Sequence, residues 1–321
     1  MALGVARLAG ALFLCLFAAC AQAQYPTRAI RLLVPNPPGG ATDTLARVFA
    51  PRLGERLGQP VIVDNRPGSN GNVASETVAR ATPDGYTIYV AADAQIVIGP
   101  HLYPNVGFDA LKDFALIATL ANTQMLLAVH PSLPVKNLQE FVQYARQAKP
   151  PLPYGSIGNG SQHHLVMEML KSRAGIDLLH VPFKGGGPAT IALLSGEISA
   201  MFGGNSVTGH VRAGKMRALA VAGKDRSATF PDLPRLGEIY PGLEVTPWIA
   251  VFAPSALPAP ILARLRDAAN AALAEPAAQE AIRKVGGLEP YRATPEEFSA
   301  LMRDEYARYG EIIKAVGVRV D

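Results

Sequence analysis

Short apolar runs alternate with helically periodic segments along the chain from Tyr25 onward. In the periodic segments apolar residues recur every three or four positions, as at Leu45, Phe49 and Leu53, which is typical of a buried helix face. The apolar runs are rich in leucine and β-branched residues and are predicted to be strands. They read "IRLLVP", "PVIVD", "TIYVA", "MLLAVHP", "LPYGS", "LLHVPF", "ISAMFG", "MRALAVA" and "WIAVFAP". This alternation predicts an α/β fold with mostly parallel sheets.

The last part of the chain has a different pattern. Helical periodicity continues from Pro258 to Gly317, and further prolines stand at Pro276 and Pro295. Because proline is well tolerated in the first turn of a helix, each of these prolines indicates a helix start. The segment is therefore predicted to form consecutive helices.

The domain organisation follows from what separates these elements. A chain of 321 residues is long enough for two hydrophobic cores, yet the sequence contains no long linker between them. We therefore expect the chain to cross between two lobes more than once, near residues 122–124 and 245–247. The predicted lobe 1 comprises residues 24–123 and 246–321, and the predicted lobe 2 comprises residues 124–245.

The N-terminus has the pattern of a secretory signal peptide. Arg7 precedes the apolar run "LAGALFLCLFAAC", and small residues follow at Ala21 and Ala23, so residues 1–23 are predicted to be removed. The run is too short for a comfortable membrane span, which predicts a periplasmic protein that does not itself span the membrane. An alternative is a lipid anchor on Cys20. Since both cysteines, Cys15 and Cys20, lie in this segment, thiol chemistry is excluded from the mature chain.

Composition and charge narrow the class of partner. Hydrophobic residues make up 49% of the chain and charged residues 17%, as in a compact globular protein. The formal net charge is +4, but the basic residues are scattered and not interleaved with aromatic residues. A nucleic-acid partner is therefore not expected, whereas small anions suit a mildly basic surface.

Glycine-rich junctions between predicted strands and helices carry the strongest functional signal. They are "PNPPGGATD" (35–43), "YGSIGNGSQHH" (154–164), "PFKGGGPAT" (182–190) and "MFGGNSV" (201–207). In a parallel sheet such junctions meet at the carboxyl ends of the strands, where helix N-termini present free N–H groups to an anion. One such junction is more simply a tight turn, but four in one chain favour a binding cleft with both lobes contributing.

Two acidic residues have both a structural and a functional interpretation. Asp43 falls in the first turn of a predicted helix, where the helix dipole favours a carboxylate even without a ligand. It could equally accept a hydrogen bond from a ligand hydroxyl or amine. Asp93 follows the third predicted strand and is either a helix cap or a cleft carboxylate that suits a protonated nitrogen.

Catalytic, metal-binding and cofactor motifs are incomplete. Ser161 and His164 could belong to a periplasmic hydrolase, but the Gly-x-Ser-x-Gly pattern of a nucleophile elbow is absent. His163 and His164 are adjacent, so on a helix they point about 100° apart and cannot chelate one metal ion. "GHVRAGKM" lacks the Ser or Thr that follows the lysine of a phosphate loop. No enzyme activity, metal or cofactor is predicted.

Several ordered motifs resemble one protein family. The segment "YPTRAIRLLVPNPPGGATDTLARVFAPRLGERLGQPVIVDNRPGSNGNVASETVARATPDGYTI" is similar to the N-terminal signature of Bug-type, or TctC-type, periplasmic solute-binding receptors of tripartite tricarboxylate transporters. "LYPNVGFDALKDF", "YGSIGNGSQHHL", "HVPFKGGGPA" and "GKMRALAVAG" continue the resemblance over essentially the whole mature chain. Phe183 stands where tyrosine is common in this family.

The resemblance implies two α/β lobes of the type II periplasmic-binding-protein kind, with a ligand cleft between them. It implies a receptor that closes on a small carboxylate, either an organic acid or an amino acid, and delivers it to membrane permease subunits. A sensory binding protein that serves a signalling receptor is the alternative. The residues matching the family's carboxylate-binding loops are Pro38, Gly39, Gly40, Thr42, Asp43, Ser156, Gly158, Asn159, Gly160, Ser161, His164 and Lys184. The residues expected near the distal part of the ligand are Ala92, Asp93, Gly203, Gly204 and Asn205.

Overall fold

Two β-sheets, each flanked by helices, organise the chain. The computed structural model describes residues 25–227, 229–285 and 288–318, so the predicted signal peptide and both cysteines lie outside the described residues. The strands are β1 (Ile30–Val34), β2 (Val61–Asn65), β3 (Thr87–Ala92), β4 (Phe114–Asn122), β5 (Leu126–Val129), β6 (Leu152–Ser156), β7 (Leu178–Pro182), β8 (Ala200–Gly203), β9 (Arg217–Val221), β10 (Trp248–Pro254) and β11 (Glu289–Pro290). One sheet has the order β11-β4-β10-β3-β1-β2 and the other β7-β6-β8-β5-β9.

Helices cover both faces of the sheets. They are α1 (Ala41–Leu57), α2 (Asn72–Ala79), α3 (Gly99–Leu102), α4 (Leu138–Gln147), α5 (Gln162–Ala174), α6 (Gly186–Ser195), α7 (Asn205–Arg212), α8 (Leu236–Ile239), α9 (Ala259–Ala274), α10 (Pro276–Lys284) and α11 (Pro295–Val316). The periodic residues Leu45, Phe49 and Leu53 form the buried face of α1 and pack in the core of the first sheet. Helices α9, α10 and α11 begin at or next to Pro258, Pro276 and Pro295, which confirms the predicted starts.

The sheets are mixed and not mostly parallel, which corrects the sequence prediction. Strand β1 pairs in parallel with β2 and β3, and β6 pairs in parallel with β7 and β8. Strand β10 is antiparallel to β3 and β4, and β5 is antiparallel to β8 and β9. The antiparallel strands β5 and β10 directly follow the two crossings between the sheets.

Strand β4 was not predicted from the sequence. Its residues, "FALIATLAN", are mainly alanine and leucine, which favour helices when no tertiary contact intervenes. Pairing with β10 on one side and β11 on the other makes this segment a strand. Tertiary context thus overrides local propensity here.

The two crossing segments lie side by side. The backbone N–H of Thr123 donates to the carbonyl oxygen of Pro247 at 3.0 Å, immediately between β4 and β5 and just before β10. Each sheet has its own apolar clusters, so the fold is two-lobed. The residue numbers at which the lobes divide stay a prediction. Among the helices of the described residues, none is long and apolar enough to cross a membrane.

Candidate ligand-binding cleft

A cavity of about 510 Å³ lies between the two lobes. It is found at the carboxyl ends of parallel strands β1, β3 and β6, where open α/β folds bind ligands. One wall belongs to the first sheet and its loops, and the other is the loop between β6 and α5. The lining residues are Asn36, Thr42, Asn70, Ala92, Ala94, Gln95, Tyr103, Ile157, Gly158, Asn159, Gly160, Ser161 and Gln162.

The first wall presents the N-terminus of helix α1. Gly40 is the N-cap residue and has no side chain that could cap the helix, so the first N–H groups of the helix remain free to donate hydrogen bonds. Gly39 has a φ of 93°, a left-handed conformation that favours glycine and lets the chain turn sharply into the helix. Thr42, in the first turn, lines the cavity although only 8% of its surface is exposed. This wall is therefore rich in neutral hydrogen-bond donors.

The second wall is the loop of residues 156–161, which is held by hydrogen bonds to helix α5. Ser161 caps α5: its Oγ accepts the N–H of His164 at 3.3 Å and donates to the carbonyl oxygen of Gly158 at 2.7 Å. The N–H of Gly160 donates to Nδ1 of His164 at 3.1 Å. Gly158 and Gly160 have φ values of 134° and 70°. The sharp course of the loop therefore depends on glycine at these positions.

The two lobes touch at one end of the cavity. A Cβ atom added to Gly160 would lie 2.5 Å from Cδ1 of Leu102 in helix α3, which is closer than real contacts allow. Glycine at this position lets the lobe 2 loop approach the first lobe. The contact closes the cavity on this side and brings Tyr103, the residue after Leu102, into its wall.

Asp43 does not line the cavity, because its carboxylate is committed within lobe 1. It accepts hydrogen bonds from the N–H of Gly39 at 2.9 Å, from Nε of Arg47 at 3.0 Å and from Nδ2 of Asn65 at 2.9 Å. Burial alone would raise the pKa of Asp43, but the Arg47, Gly39 and Asn65 hydrogen bonds lower it to about 2. The side chain stabilises the glycine loop and the start of α1.

Asp93 is also directed away from the cavity. Side chains alternate along β3, so Ala92 faces the cleft and Asp93 turns into the protein, where it is 2% exposed. Its Oδ1 accepts the N–H of Ala94 at 2.8 Å, while Oδ2 is buried without a hydrogen-bond partner. Burial, together with the nearby carboxylate of Glu305, raises the pKa of Asp93 well above its usual range. It is poorly placed to hold a ligand amine.

The structure brings part of the predicted set together. The residues from that set which line the cavity are Thr42, Ala92, Gly158, Asn159, Gly160 and Ser161. Those which support the loops from behind are Gly39, Gly40, Asp43, Ser156 and His164. Those outside the lining are Pro38, Asp93, Lys184, Gly203 and Gly204, and the side chain of Asn205 is not among those that the structure describes. The third and fourth glycine junctions face each other instead, since a Cβ added to Gly186 would lie 3.7 Å from Oγ of Ser206.

Sequence reasoning missed seven of the thirteen lining residues. The added residues are Asn36, Asn70, Ala94, Gln95, Tyr103, Ile157 and Gln162. Asn70 could have been found, because "GSNGN" follows a predicted strand in the same way as the other glycine junctions. In the structure Asn70 adopts a positive φ of 53°. The side chain of Gln95 fixes this part of the wall by accepting the N–H of Ala92 at 3.1 Å and donating to the carbonyl oxygen of Asn70 at 3.2 Å.

The cavity suits recognition and not catalysis. Among the described residues that line it, none carries a charged side chain, and hydroxyl, amide and backbone groups dominate. Nδ1 of His164 accepts the N–H of Gly160 instead of activating the hydroxyl of Ser161. Across residues 25–227, 229–285 and 288–318, His, Cys, Asp and Glu form no group that could hold a metal ion. The arrangement can hold a small anion through neutral donors.

A second cavity of about 420 Å³ lies beside the crossing segments. Its wall includes Glu244, Glu305 and Arg308, and carboxylates outnumber cationic side chains along it. Nε1 of Trp248 donates to Oε2 of Glu305 at 2.7 Å, and burial raises the pKa of this carboxyl to about 7. The excess of carboxylates disfavours a carboxylate ligand here.

Known proteins resemble the chain over most of its length. A family model described as "Tripartite tricarboxylate transporter family receptor" matches residues 45–318. A UPF0065 protein of Bordetella pertussis is 37% identical over 301 residues, which cover 92% of this chain and 91% of that protein. Both findings confirm the resemblance carried by the sequence motifs.

Solved structures agree in fold and in sequence. A protein of R. palustris, solved with adipate, is 33% identical with a TM-score of 0.76, and the match covers 92% of this chain and 99% of that one. MatC from Rhodopseudomonas palustris, with bound malate, is 31% identical with a TM-score of 0.72, and the match covers 90% and 100% of the two chains.

Proposed function

Since the chain belongs to the tripartite tricarboxylate transporter receptor family, whose members are solute-binding receptors and not enzymes, we propose that it binds a small carboxylate in the periplasm. The loaded receptor delivers this solute to the membrane permease subunits of a tripartite transporter. The observation that carries the proposal is the uncharged cavity between the N-terminus of α1 and the loop of residues 156–161. Relatives with bound adipate and malate support a carboxylate as the ligand.

The lining favours an organic acid over an amino acid. A buried ammonium group needs a carboxylate or several acceptors to offset its lost hydration. Asp43 is neutralised by Arg47, and Asp93 is turned away from the cavity. A carboxylate, in contrast, finds backbone N–H groups, hydroxyls and amides on both walls. We therefore propose a ligand without an amino group, such as a mono- or dicarboxylic acid.

Binding is proposed to close the two lobes on the ligand. The lobes are taken as residues 24–123 with 246–321, and residues 124–245, joined by the paired crossings at Thr123 and Pro247. Hinge motion at two adjacent crossings moves each lobe as a unit. Contacts from both walls then exist together only in the closed state, so the ligand stabilises that state.

Thermal unfolding of the mature protein with a panel of acids tests the proposal. A ligand that binds the native state raises the melting temperature in proportion to its affinity and concentration. Each acid is paired with its uncharged amide, and succinate is paired with aspartate. The proposal expects stabilisation by at least one acid, none by its amide, and a larger effect of succinate than of aspartate. A panel without any stabilising acid contradicts carboxylate binding, and a preference for aspartate contradicts the choice of an organic acid.

A further inference from the structure

Two stacked imidazole rings lie directly behind the lobe 2 loop of the cleft. The ring centroids of His164 in α5 and His180 in β7 are 3.9 Å apart, and the ring planes are within 10° of parallel. Tyr154 of β6 packs beside both rings, with its ring centroid 4.9 Å from that of His180 and 6.4 Å from that of His164. His180 was not among the residues expected to contribute to the site. Its contacts with both His164 and Tyr154 give it a role in shaping the loop.

Each imidazole is hydrogen-bonded to a different part of the loop. Nδ1 of His164 accepts the N–H of Gly160, and because a backbone N–H can only donate, this nitrogen carries no proton. Nε2 of His180 lies 2.7 Å from Oγ of Ser156, which in turn accepts the N–H of Gly158 at 3.1 Å. The two rings therefore fix the loop at both of its cavity-lining glycines.

The surroundings keep both rings neutral. Burial lowers the pKa of His164, and burial together with the adjacent His164 lowers the pKa of His180 to about 4. Two charged side chains, Glu168 and Lys171, and the Tyr154 phenol lie close to the pair. Glu168 accepts hydrogen bonds from the Tyr154 hydroxyl at 2.6 Å and from Nζ of Lys171 at 2.9 Å, and Lys171 lies 3.9 Å from the exposed Asp177. Since Glu168 is already paired, it cannot fully compensate a charge on the rings.

We propose that His164 and His180 are positioning residues for ligand binding, which hold the loop of residues 156–161 in its binding conformation only while both rings are neutral. This inference rests on the proposed carboxylate function. If Nδ1 of His164 were protonated, it would become a donor facing the N–H donor of Gly160 at 3.1 Å, and the N–H of Gly160 would be displaced. The new positive charge would also attract an anion. Loss of the loop geometry outweighs that attraction, because neutral donors bind the ligand only when they converge.

The test compares the wild type with three variants. His164→Asn keeps an acceptor at the position of Nδ1 but cannot be protonated, and His164→Ala removes the acceptor altogether. His130→Asn is the matched control, since His130 contacts Ser132 in a loop outside the cleft. Dissociation constants for adipate and malate are measured by calorimetry near pH 7.5 and near pH 5. Because ligand protonation affects every protein equally, only ratios between proteins at one pH are compared.

We expect the ratio of the dissociation constant of His164→Asn to that of the wild type to depend on pH. Between about pH 7.5 and about pH 5 the dissociation constant of His164→Asn, relative to that of the wild type, should fall about fivefold, because only the wild type can be protonated at this position. His164→Ala should bind about tenfold more weakly than the wild type near pH 7.5 but only about twofold more weakly near pH 5, where the wild type has itself lost affinity, and His130→Asn should follow the wild type. The inference is overturned if the ratio of the two dissociation constants, His164→Asn to wild type, stays constant across this range. It is also overturned if this ratio rises toward pH 5.

An NMR measurement on the ligand-free protein separates this inference from the proposed function. The imidazole nitrogens of His164 and the amide of Gly160 are followed between about pH 8 and about pH 4.5. We expect an unprotonated Nδ1 at high pH and a shift of the Gly160 amide that tracks protonation of His164. An Nδ1-protonated tautomer, or a Gly160 amide indifferent to His164 protonation, overturns the positioning role even if no acid binds. A failed acid panel with the expected NMR result overturns the carboxylate function alone.

Discussion

The N–H of Gly39 donates to the carboxylate of Asp43 at 2.9 Å, four residues along the chain. This hydrogen bond folds the glycine loop of lobe 1 back onto the first turn of α1. Arg47 and Asn65 bind the same carboxylate from the other sides. Asp43 thus shapes the lobe 1 wall of the cavity without facing into the cavity.

Replacing Asp43 by asparagine should lower the free energy of unfolding by about 1 to 2 kcal/mol near neutral pH. The charged hydrogen bonds lower the pKa of Asp43 to about 2 in the folded protein, so their contribution is complete above pH 3.8 and is lost as the pH falls toward 2. Urea unfolding of both proteins between pH 7 and about pH 2.5 measures this difference. Asp84→Asn, at a surface pair with Arg28, serves as the control and should have little effect. A pH-independent difference for Asp43→Asn would contradict this assignment.

Replacing Gly160 by alanine should weaken carboxylate binding by more than about tenfold. The added methyl group clashes with Leu102, and alanine is strained at the φ of 70° that this position requires. The loop must therefore withdraw from the first lobe. Calorimetric titration of the variant gives the change. Combining it with Leu102→Ala should restore part of the affinity by removing the clash. Gly209→Ala, at a helical position with open space, should bind normally, and equal losses in both glycine variants would argue against a specific contact.

Introducing a carboxylate into the cavity tests the electrostatic preference of the site. Thr42→Asp places the charge in the first turn of α1, where the helix dipole favours it, so the fold should be retained. Repulsion of a carboxylate ligand should reduce its affinity by about a hundredfold. Thr42→Asn has the same size without the charge and should stay within about fivefold of the wild type. Similar affinities for the two variants would show that no anion binds beside Thr42.

Glu305 affects stability in the opposite direction to Asp43, because its ionisation at high pH lowers the free energy of unfolding. Burial raises its pKa to about 7, so its unfavourable contribution is absent below pH 4.5 and grows as the pH rises toward 7. Glu305→Gln should therefore stabilise the protein by up to about 3 kcal/mol near pH 8 and by much less near pH 5. The amide oxygen can still accept the hydrogen bond from Trp248. Thermal unfolding at the two pH values measures the effect, and equal shifts at both would disprove it.

The sequence predicts the parts of the fold that depend on local patterns. The periodicity at Leu45 and Phe49 and the proline at Pro295 are local features, and the corresponding helices form as expected. Strand β4 could not be predicted, because its alanine and leucine residues favour a helix until β10 and β11 pair with them. The antiparallel direction of β10 likewise depends on where the chain crosses between the lobes.

In the candidate site, too, local sequence patterns predict some residues, whereas others depend on contacts between distant segments. The glycine loops around Gly39 and Gly158 are readable because positive φ values demand glycine. Asp93 was expected to face the cleft, but the alternation of side chains along β3 places Ala92 there instead. Tyr103 lines the cavity next to Leu102, which packs against Gly160 of the other lobe. Such contacts join distant segments and leave no local signal in the sequence.

Hydrogen–deuterium exchange tests the two-walled carboxylate site most directly. The protein is compared with and without the acid that stabilises it most, and the exchange of backbone amides is followed by segment. We predict slower exchange at both residues 39–43 and residues 157–161, with little change at the second cavity around Glu305. Protection of only one wall, or protection centred on the second cavity, would contradict carboxylate binding between the lobes.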